Sequence, residues 1–236
     1  MGAHSGPDIV NDGLVLALDA ANDKSYSGSG TTWNDLSGNG NHFTLSGTDF
    51  VSTNPKHFSL INNQGDYAYR SSTDVIGGLN DLTFDIIMRI DSFPDSLTTF
   101  VSYATTANNN AVLFARNGSG RLAMWLGSSN IDFAVGPTDA DYNVGNFIHF
   151  VLTRSGTNIK VYINGVLKSN NNSYFNGTVE TGGTLVFGQE QDTPGGSFQT
   201  NQDFPGDIAA YKIYNKELSI NEVNQNFNAT RGRFGI

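Results

Sequence analysis

Short apolar runs, each only a few residues long, recur from Leu14 almost to the end of the chain and are separated by Gly, Asn, Ser and Asp. Helical periodicity is nearly absent before the last stretch. Runs and turns of this kind are typical of many short β-strands. With 236 residues, of which 38% are hydrophobic, the chain is long enough for one large all-β domain.

The clearest local prediction is a β-hairpin within NIKVYINGVLK. Apolar residues alternate with others over residues 159–163, and Asn164 and Gly165 follow them. An Asn-Gly pair tolerates the positive φ angles of a type I′ turn. The sequence therefore predicts two antiparallel strands joined by this pair.

Similar patterns predict further strands near Leu14, Phe58, Tyr67, Phe84, Val101, Leu113, Trp125, Phe150, Val186 and Tyr211. One helix is predicted, within LSINEVNQNFNA near the C-terminus. Ser219 can cap its first turn, Glu222 completes a capping box, and Val223 and Phe227 share a face. We expect a short final helix packed on the strands.

No repeat of about 20–50 residues and no Pro-rich linker divides the chain. We interpret residues 1–9 as an N-terminal tail, which could include a cloning remnant, and residues 10–236 as a single domain. Sheets with alternating faces form either a closed barrel or two packed sheets. Length and strand number favour two curved antiparallel sheets, a jelly-roll sandwich.

Charge and composition narrow the classes of partner. Thirteen basic and twenty-two acidic residues give a formal net charge of −9, which is the wrong sign for holding a phosphate backbone. We therefore expect no nucleic acid partner. The first ten residues contain neither a signal-peptide pattern nor an apolar stretch long enough to span a bilayer, and we expect no membrane partner. The chain has no cysteine, so it has neither a disulfide framework nor a thiolate metal site.

One polar segment predicts a metal site. FGQEQDTPGGSFQTNQDFPGDI, residues 187–208, gathers oxygen-bearing side chains around a Pro-Gly-Gly turn and contains no Lys or Arg. Calcium takes about 6–8 oxygen ligands from carboxylates, amides and main-chain carbonyls. The alternative is a solvated polar loop. The candidate side chains are Glu190, Gln191, Asp192, Gln199, Gln202 and Asp203.

This segment, from Gly188, resembles the calcium loop of the pentraxins, and SYATTANNNAVLF, from Ser102, resembles the strand and loop that deliver their remaining ligands. The resemblance covers roughly residues 82–223. It implies the concanavalin A-like sandwich shared by legume lectins, laminin G-like modules and pentraxins. The implied calcium ligands are Asn109, Asn110, Glu190, Gln191 through its main-chain carbonyl, Asp192 and Gln202, with Gln199 where the family has another carboxylate.

The segment departs from the pentraxin pattern in its charge. Pentraxins hold two adjacent calcium ions, but here Asn109 stands for an Asp and Gln199 for a Glu. Fewer carboxylates weaken calcium binding, so we expect one ion, with two as the alternative. Asp203 could replace part of the lost charge. The resemblance implies a ligand with phosphate or hydroxyl groups, such as a host-surface glycan or a phosphorylated surface polymer.

The two ends of the chain resemble a different group. GLVLALDAANDKSYSGSGTTWNDLSGNGNHFTL, from Gly13, and ELSINEVNQNFNATRGRFGI, from Glu217, are similar to laminin G-like modules on virion proteins of tailed phages, particularly marine phages. This resemblance implies a virion surface location, contacts with other virion proteins and a homo-oligomer; a secreted protein is the alternative. Trp33 and Leu36 are expected to close one end of the sandwich.

We expect a binding module and not an enzyme. Glu190 and Asp192 stand two apart, as the carboxylates of a sandwich glycosidase can, but Gln191 intervenes and TPGG follows. The alternatives are a capsid or tail decoration protein with a structural calcium ion, and a secreted glycan-cleaving enzyme. The aromatic residues Trp125, Tyr67, Tyr69 and Tyr103 could stack on sugar rings, although burial is the commoner fate of such side chains.

Overall fold

The computed structural model describes residues 8–60, 65–70, 74–93, 97–108, 111–127, 129–136, 139–140, 142, 144–172, 175–199 and 201–236. These residues form one helix, α1 (Ile220–Phe234), and the following strands: β1 (Leu14–Asp19), β2 (Thr32–Trp33), β3 (Phe43–Ser46), β4 (Asp49–Val51), β5 (His57–Leu60), β6 (Tyr67–Arg70), β7 (Leu82–Ile90), β8 (Thr98–Ala104), β9 (Val112–Arg116), β10 (Leu122–Leu126), β11 (Ser129–Asp132), β12 (Phe147–Ser155), β13 (Asn158–Ile163), β14 (Val166–Asn172), β15 (Thr184–Phe187), β16 (Gln191–Thr193), β17 (Gly196–Phe198) and β18 (Gly206–Tyr214).

Two large antiparallel sheets pack face to face. One has the order β14-β13-β12-β7-β18-β5-β4, with β1 also paired to β18, and α1 covers its outer face. We call it the helix sheet. The other, the hairpin sheet, has the order β11-β10-β9-β8-β15-β6-β3-β2, and β16 lies against its strand β8. The predicted jelly-roll sandwich with one C-terminal helix is confirmed.

The core fills the space between the sheets with side chains from alternate strand positions. Phe43 and Phe187 of the hairpin sheet stack with ring centroids 4.6 Å apart, and Phe187 stacks on Tyr211 of the helix sheet at 3.7 Å. The Tyr211 hydroxyl donates to the Phe100 carbonyl oxygen at 2.9 Å. This aromatic column joins the two layers, and its polar atom is satisfied without water.

The predicted Asn-Gly hairpin is confirmed as β13 and β14. Asn164 and Gly165 have φ angles of 50° and 77°, as a type I′ turn requires. The turn lies under α1, so a Cβ atom added to Gly165 would come within 2.5 Å of the Asn224 side chain and 3.2 Å of Phe227. Gly165 therefore serves both the backbone angle and the close approach of the helix.

The C-terminal helix begins as predicted but extends further. Ser219 and Glu222 form the capping box, and the helix continues to Phe234 before Gly235 ends it at a φ of 70°. The Thr230 hydroxyl donates to the Asn226 carbonyl oxygen at 2.8 Å, and the Phe234 ring packs 5.3 Å from Phe147. The tertiary contact between Phe234 and Phe147 supports a last turn that the polar sequence alone does not predict. No described helix is both long and apolar enough to cross a membrane.

The loop after β2 is organised by one carboxylate. Asp35 accepts hydrogen bonds from the main-chain N–H groups of Ala17, Ser37 and Asn41 at 2.9, 2.9 and 3.0 Å. Trp33 is buried, as predicted. Leu36 is not a buried anchor, because the residue is 37% exposed. Its main-chain N–H donates to the Ala17 carbonyl oxygen at 2.8 Å.

A buried polar network joins α1 to the helix sheet. The Asp85 carboxylate contacts Lys212 Nζ at 2.8 Å, His149 Nε2 at 3.1 Å and Asn226 Nδ2 at 2.8 Å. Asn226 Oδ1 in turn accepts from the Val10 main-chain N–H at 2.8 Å. Burial alone would raise the pKa of Asp85, but Lys212 and His149 hold it well below its ordinary range.

Candidate metal and ligand site

The predicted metal segment folds as a small hairpin on the outer face of the hairpin sheet. Gln191 pairs with Phe198 and Thr193 pairs with Gly196, so Pro194 and Gly195 form the turn. Gly195 has a φ of 70°, which suits the third position of a type II turn after proline. The segment is therefore two short strands, and not the loop expected from its polarity. We call β16 and β17 together the site hairpin.

Gln191 fixes the site hairpin to the sheet below it. Its Nε2 donates to the Ser102 carbonyl oxygen at 3.1 Å and to the Thr184 carbonyl oxygen at 2.9 Å, while its Oε1 accepts from the Gly195 N–H at 2.7 Å. The side chain is fully buried. It is therefore committed to structure, which leaves only the main-chain carbonyl, as the pentraxin resemblance implied, for any metal ion.

Glu190 is a buried carboxylate with an unsatisfied oxygen. Glu190 is only 4% exposed, and its Oε2 has no hydrogen-bond partner among the described residues. Burial raises the pKa of Glu190 to about 7, and the neighbouring Asp192 charge adds to the shift. A carboxylate in this position gains from a cation beside it, because the cation would offset both causes.

The other candidates of this segment lie around the same hairpin. Asp192 and Gln199 are exposed, and Gln199 Nε2 donates to Asp192 Oδ2 at 3.0 Å. Gln202 donates its main-chain N–H to the Gln199 carbonyl at 2.9 Å and accepts at its own carbonyl from Thr99. Asp203 is buried. The structure thus places Glu190 and Gln199 beside Asp192. Gln202 lies next to them because its main-chain N–H is bonded to Gln199.

The second predicted segment begins directly beside this hairpin. Ser102 of β8 donates its hydroxyl to the Gln189 carbonyl at 2.7 Å, and β8 ends two residues later, at Ala104. Thr105 Oγ1 then donates to Glu180 Oε2 at 2.7 Å. Asn109 and Asn110 lie outside the described residues. The chain leading to them, through Asn108, is anchored next to the site hairpin.

Sequence reasoning missed Gln189. The residue is fully buried, and its Oε1 accepts from the Glu190 main-chain N–H at 3.0 Å while its carbonyl holds Ser102. It fixes the backbone that carries Glu190. Nothing in the local sequence distinguishes it from the surrounding polar residues, because its partner Ser102 is 87 positions away.

The donor set suits a hard cation. It consists of carboxylate, amide and main-chain oxygens, which are the ligands of calcium, and it includes the unsatisfied oxygen of Glu190. Within the described ranges, no three His, Cys, Asp or Glu side chains cluster as a metal site. The proposed set is not such a cluster, since it contains two carboxylates and otherwise relies on amide and carbonyl oxygens.

Aromatic side chains occupy different depths around the hairpin. Tyr103 is buried, and burial together with its hydrogen bond to Asp74 raises the pKa of its phenol well above the usual value. Tyr103 therefore supports the fold and is not available to stack on a sugar ring. Tyr67, Tyr69 and Trp125 are half-buried. Tyr69 pairs with Val186, and Trp125 pairs with Leu113, on strands that flank the hairpin.

The architecture and site together define an antiparallel sandwich that carries a polar hairpin on one outer face. A family model described as the concanavalin A-like lectin/glucanases superfamily matches residues 62–224, more than half of the sequence. The chain belongs to this superfamily.

Among curated proteins, this chain is similar to pentraxins. It is 49% identical to rat (Rattus norvegicus) neuronal pentraxin-1 over 41 residues, which are 17% of this chain and 10% of that protein. It is 26% identical to a pentraxin fusion protein of Xenopus laevis over 132 residues, which are 55% of this chain and 30% of that protein. The chain therefore aligns with less than a third of either relative.

Solved structures share the fold at low identity. The receptor-binding domain of botulinum neurotoxin mosaic serotype C/D has a TM-score of 0.66 and 18% identity, with 94% of this chain and 52% of that chain covered. The binding domain of Paraclostridial Mosquitocidal Protein 1 has a TM-score of 0.67 and 16% identity, covering 92% and 52%. A sialidase of Trypanosoma rangeli has a TM-score of 0.63 and 14% identity, covering 92% and 32%.

Proposed function

We propose that this protein is a calcium-dependent, glycan-binding module of a virion surface and not an enzyme. The observation that carries the proposal is the buried Glu190 carboxylate, whose Oε2 has no partner among the described residues. Glu190 directly precedes the site hairpin, and its neighbours Gln189 and Gln191 are hydrogen-bonded to Ser102 of β8, the strand that precedes Asn109 in the sequence. Burying a carboxylate without a partner is costly, so a cation at this place would stabilise the fold. Membership of a lectin-containing superfamily and the pentraxin similarity support the same reading.

The calcium ligands in this proposal are Asn109, Asn110, Glu190, the Gln191 carbonyl, Asp192, Gln199 and Gln202. Bound calcium would supply a Lewis-acidic centre for hydroxyl or phosphate oxygens of a host-surface glycan or phosphorylated polymer. The chain's own contribution is rigidity, because Gln189 and Gln191 hold the hairpin backbone from below. With two carboxylates in the set, we propose one ion of modest affinity.

Calorimetry on chelator-treated protein tests the metal. Wild type should show a saturable heat change on calcium addition, and Glu190→Gln should bind calcium at least about tenfold more weakly, the lower end of the loss seen even for outer-shell partners. Asp49→Asn, an exposed carboxylate on the helix sheet, is the matched control and should bind normally. No heat and no change in melting temperature at millimolar calcium would refute the site.

A glycan array with and without chelator tests the ligand. Binding that disappears on chelation supports capture through the ion. If no glycan binds with or without chelator, the result favours the second candidate, a capsid or tail decoration protein whose calcium only stiffens the hairpin. Release of reducing sugar from polysaccharides would instead support a glycan-cleaving enzyme.

A further inference from the structure

The outer face of the hairpin sheet carries a group of aromatic rings that the calcium proposal does not use. In β6, Tyr67 and Tyr69 alternate with buried Ala68, so both tyrosines point away from the core. Their ring centroids are 5.6 Å apart, and the Tyr67 ring lies 4.5 Å from Phe198 of the site hairpin. All three side chains are half-buried.

This group lies on one flank of the site hairpin. Cross-strand pairing places Tyr69 beside Val186, Val186 beside Ser102, Ser102 beside Leu113 and Leu113 beside Trp125. Gln191 fastens the hairpin over Ser102, in the middle of this row. Tyr69 and Trp125 are therefore separated by the hairpin, and the two tyrosines border it on the side opposite to Trp125.

We propose that Tyr67 and Tyr69, together with Phe198, form a second subsite that stacks on neighbouring pyranose rings of a soluble polysaccharide chain. The proposal rests on the glycan-binding function above and extends it along the ligand. The spacing of the two rings is close to the advance of one sugar in an extended chain. Their planes are tilted by 49°, so they suit a twisted single chain better than a flat crystalline surface.

The surroundings of the rings favour a sugar over other occupants. The residues paired with Tyr69 and Tyr67 on β3 are Thr44, which is exposed, and Ser46, which is half-buried, so hydroxyl groups border the rings. The large apolar side chains that are exposed in the described part of the chain lie on neither β3 nor β6. Aromatic faces beside hydrogen-bonding groups suit a carbohydrate, whereas an apolar protein partner would need a wider apolar patch.

Affinity electrophoresis of the whole chain in gels containing dextran, mannan, laminarin or arabinogalactan tests the subsite. Tyr69→Ala is the informative variant, since Tyr67 supports Phe198 and its loss could move the hairpin. In the gel that retards wild type, this variant should bind about tenfold more weakly, as expected for loss of one aromatic stacking contact. Tyr69→Phe should bind within about twofold of wild type if the ring carries the contact. Leu167→Ala, an exposed apolar change on the helix sheet, should have no effect.

Repeating the electrophoresis with chelator separates this subsite from the calcium site. Retardation that survives chelation but is lost in Tyr69→Ala supports the aromatic subsite and contradicts calcium-dependent capture. Retardation that is lost on chelation but unchanged in Tyr69→Ala overturns the subsite and leaves the calcium proposal standing. The subsite is also overturned if none of the four polysaccharides retards the wild type. Calcium calorimetry of Tyr69→Ala should match wild type, which shows that the hairpin is intact.

Discussion

At the residue scale, Glu190 combines two features that the sequence does not reveal together. Its position two residues before Asp192 is evident from the amino-acid sequence, but its burial is not. Burial and the neighbouring charge raise the pKa of Glu190 to about 7. The same group that is proposed to bind calcium therefore opposes folding when calcium is absent and the carboxyl is ionised.

This arrangement predicts a pH dependence of stability in chelator. Between the ordinary pKa of 4.5 and the raised pKa of about 7, the folded state keeps a proton on Glu190 that the unfolded state has lost. The Glu190 contribution to the free energy of unfolding should therefore fall as pH rises through this window and level off above it. Urea denaturation at a series of pH values should show a flatter profile for Glu190→Gln than for wild type.

The stabilities of the two proteins should converge near pH 4, where the Glu190 carboxyl is mostly protonated in both states of the wild type. Above pH 7 the variant should be the more stable one in chelator. Saturating calcium should narrow that difference, because the ion stabilises the wild type, which binds it more tightly, by more than it stabilises the variant. Parallel pH profiles for the two proteins would contradict the assigned burial of Glu190.

Gln191 shows a limit of sequence reasoning at this scale. The resemblance to pentraxins implied a ligand role for its main-chain carbonyl, and the structure shows that its side chain is hydrogen-bonded to the carbonyl oxygens of Ser102 and Thr184. Ser102 is 89 residues away in sequence. Several polar residues are adjacent in this segment, and the strands beneath them determine which side chain turns inward. Local composition therefore cannot identify the buried glutamine.

At the element scale, local turn chemistry predicts some strands and misses others. The Asn164-Gly165 hairpin follows from two residues whose backbone preferences are strong. In the site hairpin, the Pro-Gly turn is equally visible, but its strands are three residues each and carry polar side chains. They form because Gln191 binds the sheet beneath, and Ser197 adopts a φ of 53° that no strand pattern predicts.

The Asn-Gly hairpin gives a prediction about helix docking. Gly165→Ala should lower the free energy of unfolding by about 1–3 kcal/mol, since the new methyl group meets both a positive φ and the α1 side chains of Asn224 and Phe227. Gly156→Ala is the matched control, because its φ is 56° and nothing lies within 4 Å of the added atom. Denaturant unfolding should show a clearly smaller loss for the control. Equal losses would mean that backbone strain alone is responsible.

At the scale of the whole molecule, the alternating pattern predicts a sandwich of two sheets but does not predict the order in which the strands pair. The pairing of β1 with β18 joins residues about two hundred positions apart, between Leu14 and Tyr214 at its start. The buried network of Asp85, Lys212 and Asn226 likewise cannot be predicted from the sequence, because nothing in the local sequence distinguishes these residues from other polar residues of strands and helices. Such contacts depend on which elements become neighbours, and strand order is not encoded in local periodicity.

The network predicts a strong global effect. Lys212→Met should destabilise the protein by about 3–5 kcal/mol, because it leaves the Asp85 carboxylate buried without its cation. The melting temperature should fall by about 2–4 °C for each kcal/mol in a domain of this size. Lys160→Met, which removes the half-buried contact with Glu217 at 2.6 Å, is the control and should cost about 1 kcal/mol or less.

The double variant Asp85→Asn with Lys212→Met separates charge from packing. Neutralising Asp85 removes the uncompensated charge, so the double variant should be more stable than Lys212→Met alone. If the double variant is the less stable of the two, the cost arises from hydrogen bonds and shape and not from the buried charge.

The described ends of the chain, Asp8 and Ile236, lie on the face of the sandwich opposite to the site hairpin. Val10 is fastened to Asn226 of α1, and α1 covers the helix sheet, while the site hairpin covers the other sheet. A flexible tether joined near Asp8 or Ile236 would therefore leave the calcium and aromatic surfaces pointing outward. Biosensor chips or beads that hold the chain by either end should present those surfaces fully to polymers in solution.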